Sequence, residues 1–146
     1  MGGQTKQEQI AAARGSLTAE NPARERLQKL FDIDSFVELD AFVAADQGGA
    51  GVICGFGAVM GGPVYAFSQD GGPVGCAQAA KIKKPYDMAL KTGAPVVGIY
   101  DSKGVKLEEG TCALAAYGEM LQHVSNLSGV VPQISLVMGS SVGAGA

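Results

Sequence analysis

This chain has no basic excess, no zinc-type cysteine spacing and no long apolar run, and each absence removes a class of function. Eleven Lys and Arg stand against fourteen Asp and Glu, for a net charge of −3. With a pI near 5.0, nothing supports nucleic-acid binding, which draws on a basic face. An anionic ligand has to be held locally, by backbone amides or a few lysines. Cys54, Cys76 and Cys112 show no CxxC spacing, and the single His123 completes no zinc set, so no metal site is expected. The three cysteines read as reduced core thiols. Met1-Gly2-Gly3-Gln4-Thr5-Lys6 lacks an apolar signal region, and no apolar run approaches the ~18 residues of a membrane span. These features read as a soluble, cytoplasmic protein without a membrane span. No spacing suggests a Ser-His-Asp set, so Ser140 and Ser141 read as turn residues rather than nucleophiles.

What is present suits one globular domain. The chain has 146 residues, of which 47% are hydrophobic, and its 22 glycines are roughly twice the usual share of about 7%. A polar helix is expected from Gln4 to about Arg14, with a break at Gly15-Ser16. A second helix follows the cap region Thr18-Ala19-Glu20-Asn21-Pro22, with Ala23, Leu27 and Leu30 at helical spacing. Residues 1–30 are therefore expected to form a helical arm, and 31–146 the domain proper. Ser35-Phe36-Val37-Glu38-Leu39-Asp40 alternates as an edge strand does, and 46–51 read as a polar loop. The apolar runs 52–59 and 63–69, joined through Met60-Gly61-Gly62, predict a hairpin. Gly55 and Gly57 are not a dinucleotide fingerprint, because a strand and not a helix follows them.

Helix formers from 75 to 90 carry Pro85, which should kink or split the helix, and Gly93 should end it. Lys81, Lys83, Lys84 and Lys91 are either a solvated face or an anion-contacting patch. Residues 95–100 read as a strand buried on both faces, 101–110 as a loop at its carboxyl end, where α/β folds bind ligands. A helix over 111–126 is expected to place Leu114, Met120, Leu121 and Val124 in the core, and His123 in a structural or exposed role. Residues 130–146 begin as a buried strand and end in Gly143-Ala144-Gly145, where a helix should start. Free amides at a helix opening suit an anion or a developing oxyanion. The whole reads as an α/β layered unit with right-handed crossovers.

Several of these segments, in one order, resemble the biotin-dependent acyl-CoA carboxyltransferases. They are Ala23-Arg24-Glu25-Arg26-Leu27, Asp34-Ser35-Phe36-Val37-Glu38-Leu39-Asp40, Tyr65-Ala66-Phe67-Ser68-Gln69-Asp70, Ala89-Leu90-Lys91-Thr92-Gly93-Ala94-Pro95-Val96-Val97-Gly98 and Gly129-Val130-Val131-Pro132-Gln133-Ile134-Ser135. The resemblance covers about residues 23–146 and only the front part of the family's N-terminal half. It implies a partial crotonase-like fold of repeated ββα units. It also implies carboxyl transfer between biotin, carried on a partner, and an acyl-CoA, with no cofactor held by this chain itself. The implied partners are a biotin carboxyl carrier or a second carboxyltransferase half, in an oligomer.

The family's oxyanion donors align with the amides of Gly143 and Ala144. Its loop after the preceding strand aligns with Lys103, Gly104, Val105 and Lys106, where Lys103 replaces a glycine and Lys106 an arginine. Lys81 and Lys84 are further candidates for the substrate side. After Asp70 the chain lacks the family's short aromatic-rich insertion, so acyl preference does not carry over. Two other functions fit the same residues: a crotonase-like acyl-CoA hydrolase, hydratase or decarboxylase without biotin, and a noncatalytic assembly module tied by residues 4–30.

Overall fold

Apolar residues that alternate between two faces along three central strands set the architecture, because each face needs its own cover. The computed structural model describes residues 5–18, 20–42 and 51–143. Strands β1 (Val37–Leu39), β2 (Val52–Val59), β3 (Gly62–Gln69), β4 (Val96–Ser102) and β5 (Gln133–Ser141) form one sheet in sequential order. β1, β2 and β3 pair antiparallel, and β3, β4 and β5 pair parallel. Helices α3 (Cys76–Thr92) and α4 (Gly110–Asn126) make the two crossovers.

α3 and α4 cover one face, where Cys54, Phe67, Val96, Ile82, Tyr117 and Leu127 share a core. α2 (Pro22–Leu30) covers the other, with Ala23, Leu27 and Phe31 against Ile53, Ala66, Val97 and Ile99. Full burial of one such leucine or phenylalanine contributes about 1.5 to 3 kcal/mol. The hairpin turns at Met60 and Gly61, both with positive φ, and the Asp32 carboxylate accepts from their two N–H groups. Gly93 ends α3 in the left-handed conformation, as expected.

Several expectations give way to packing. The helix α1 (Lys6–Thr18) runs through Gly15-Ser16, since one interior glycine costs only about 1 kcal/mol. α2 does not extend from the domain as an arm, because Ala23 and Leu27 are fully buried against the sheet. α3 spans Pro85 as one helix, held on both sides of it by buried Ile82, Tyr86 and Ala89. In α4 the inward seam is Ala113, Tyr117 and Met120, at i, i+4 and i+7. Leu114 and Leu121, expected inside, are 72% and 54% exposed. Val124 packs against the core at its edge.

β5, expected to be buried, is exposed at every position, because the described residues cover neither of its faces. Cys76 and Cys112, read as reduced thiols, are joined by a disulfide with their Cα atoms 6.3 Å apart. Packing α3 on α4 brings their first turns together. Cys54 is the free, buried cysteine. His123 Nδ1 lies 2.5 Å from Asp87 Oδ1, a tie between α4 and α3. No helix among the described residues is long and apolar enough to cross a membrane.

Candidate active site

The carboxyl ends of the parallel strands β3, β4 and β5 open into the polypeptide segments 70–75, 103–109 and 142–143. One residue, through its carboxylate and its backbone, ties all three strands. Asp101, near the end of β4, receives Arg26 Nη2 of α2 at 2.8 Å and the N–H of Ser140 at 3.1 Å. Its backbone N–H donates to Gln69 Oε1 at 2.9 Å, and its carbonyl accepts from Gly71 at 2.9 Å. Arg26 Nη1 also reaches the carbonyl of Gln69 at 3.0 Å. A Cβ at Gly139 would collide with the Asp101 carboxylate, so β5 needs a glycine to approach it.

The loop after β4 is built from backbone bonds. The N–H of Gly104 donates to Ser102 Oγ at 3.0 Å, with Gly104 at φ +96. Val74 donates to the Gly104 carbonyl at 2.9 Å, and Lys106 donates to the Val74 carbonyl at 3.0 Å. This is a parallel bridge between Val74 and Val105. In such a bridge the N–H of Val105 itself points away from Val74. A Cβ at Gly104 would stand 3.3 Å from the carbonyl oxygen of Val142. The two groups singled out from sequence, 103–106 and Gly143, are thus brought together. Gly143 has φ +61, a conformation that glycine adopts without strain. Ala144 lies outside the described residues, as does most of the polar loop expected over 46–51.

The lysines separate. Lys103 is exposed and makes no ion pair among the described residues. Lys106 Nζ lies 3.5 Å from Glu109 Oε1. Lys84 and Lys81 stand five to eight residues into α3, away from the loop. Lys84 pairs with Asp40 at 2.5 Å. Lys81, expected on the surface, is 2% exposed, and its ammonium has no hydrogen-bond partner among the described residues. It lies close enough to Cys54 to oppose the effect of burial, which pushes that thiol up to about 11.

Sequence reasoning missed two contributors. Arg26 was read only as part of a matching segment, and its partner Asp101 lies 75 residues away. Glu109 Oε2 accepts the N–H of Cys76, the first residue of α3, at 2.6 Å. The signal for it was Gly75, where a Cβ would strike the Glu109 carboxylate.

A family model described as the carboxyl transferase domain matches residues 12–146. Methylmalonyl-CoA decarboxylase subunit alpha of Veillonella parvula is 46% identical over 97% of this chain and 30% of its own length. Propionyl-CoA carboxylase beta chain of Roseobacter denitrificans is 45% identical over 98% of this chain and 30% of its own. The chain therefore spans about 30% of the length of these relatives. Among solved structures, a transcarboxylase 12S hexamer with hydrolysed methylmalonyl-coenzyme A bound is 36% identical, with a TM-score of 0.74, over 90% of this chain and 28% of that one. A Pseudomonas malonate decarboxylase hetero-dimer is 26% identical, with a TM-score of 0.70, over 81% of this chain and 52% of that one. The fold is accordingly α/β and crotonase-like, present in part.

Proposed function

The chain belongs to the carboxyl transferase domain family, and from that premise we propose that it supplies the acyl-CoA side of carboxyl transfer between biotin and an acyl-CoA. The observation that carries this reading is the meeting of the Gly104 loop with the turn at Val142 and Gly143, at the carboxyl ends of β4 and β5. Carboxyl transfer at the carbon beside a thioester passes through an enolate, whose oxygen gathers negative charge. Amides already aimed at that oxygen lower the barrier by about 3 to 4 kcal/mol for one donor, because they need no reorganisation during the reaction. The amides of Val105, Gly143 and Ala144 are the donors in this reading. No side chain here acts as a nucleophile.

The reaction needs a biotin on a partner, either a carboxyl carrier or the second carboxyltransferase half, and the assembly is an oligomer in the cytoplasm. Support for a covering partner comes from β5, where Ile134, Leu136, Val137 and Met138 are all exposed. Calorimetric titration of the folded chain with CoA, propionyl-CoA and methylmalonyl-CoA tests the reading. Binding of the acyl-CoAs with heat is expected, and no binding to a folded sample would sink it. Turnover of an acyl-CoA without any biotin protein would instead favour a crotonase-like hydrolase, hydratase or decarboxylase.

A further inference from the structure

We propose that Glu109 is the positioning residue of the 103–109 loop and that it decides which lysine meets the ligand's anion: Lys106 is neutralised in place, and Lys103 is left for the phosphate groups of a CoA. The proposal rests on the acyl-CoA reading above and deepens it. The start of α3 attracts anions beside the loop, since the helix has 17 residues and no acidic residue in its first turn. Gly75 precedes it and has no side chain to cap it. That role falls to Glu109, which accepts from the Cys76 N–H at 2.6 Å while Gln78 Oε1 accepts from the Gly75 N–H at 3.0 Å. The other oxygen of Glu109 faces Lys106. One carboxylate thereby faces both the first amide of α3 and a loop cation, and it competes with a ligand phosphate for both.

The remaining candidates are eliminated by their surroundings. Lys84 is paired with Asp40, and Lys81 is sealed beneath α3. Lys103 stands exposed on the same loop as the Val105 amide, with its backbone fixed by a bond to the Gly72 carbonyl at 3.3 Å. Its ammonium is a mobile point charge suited to phosphate.

Two measurements on the 146-residue chain test this. The first is calorimetric titration with CoA at several salt concentrations. Lys103→Ala should weaken binding and lower the salt dependence by about one charge, Lys106→Ala should leave that dependence unchanged, and Glu109→Gln should raise it by freeing Lys106. A loss for Lys106→Ala equal to that for Lys103→Ala overturns the assignment.

The second needs no ligand. Amide exchange at Cys76 and Lys106 should quicken by about tenfold or more in Glu109→Ala and stay near wild type in Glu109→Gln, which keeps an acceptor. Unchanged exchange in Glu109→Ala overturns the positioning role. Failure of the wild-type chain to bind CoA, with the exchange result as expected, overturns the acyl-CoA reading while the positioning role stands.

Discussion

Asp101 shows how much one residue can carry. Its carboxylate joins Arg26 of α2 to the Ser140 amide of β5, while its backbone binds the end of β3. Asp101→Asn keeps the shape and loses the charge, so unfolding in urea should show about 1 to 3 kcal/mol of lost stability. Pairing it with Arg26→Ala should cost less than the sum of the two, because they act in one network.

Cys54 is the second case. Burial pushes its pKa up from an ordinary value of 9.0 to about 11, with Lys81 opposing. The folded state therefore favours the neutral thiol, and this contribution is whole below about 9 and fades as pH rises toward 11. It corresponds to roughly 2 to 3 kcal/mol. Thermal melts between pH 8 and 11 should show a falling midpoint, and Cys54→Ala should flatten that fall.

At the scale of elements, helices were legible by period and caps, and their faces less so. The cap region 18–22 was recognisable before α2, and within it Asn21 Oδ1 accepts the Ala23 N–H at 2.8 Å. Asn21→Ala should lower stability by about 1 kcal/mol, read from a denaturant midpoint. The seam of α4 was misassigned because leucines at 114 and 121 outweigh Ala113 and Tyr117 in any count of apolar residues. Which side faces the sheet depends on the direction of the crossover from β4, and composition does not encode it. Pro85 misled for a similar reason. Its local cost is real, but the buried residues on either side of it hold α3 together.

At the scale of the whole molecule, β5 and the disulfide dominate. An exposed strand carrying Ile134, Leu136, Val137 and Met138 invites association. Sedimentation should show the isolated chain forming oligomers, and Met138→Lys with Ile134→Lys should shift it toward monomer. Cys76 and Cys112 lie 36 positions apart and enclose β4 and the candidate loop. A crosslink of that span is worth about 3 to 4 kcal/mol by the chain-entropy account. Reduction should lower the melting midpoint, and alkylation before and after reduction should show two additional reactive thiols.

The sequence by itself determined the order and kind of the elements, the hairpin, the cap region of α2, the family and the two segments proposed for the site. Those properties depend on neighbours a few residues apart, where period, propensity and turn chemistry act directly. Only the tertiary structure decided that α2 belongs to the sheet, that Arg26 meets Asp101, that Glu109 caps α3, and that Lys81 is buried while Lys103 is exposed. Each of these joins residues 30 or more positions apart, or turns a helix about its axis, and the packing of two helical layers on one sheet fixes both.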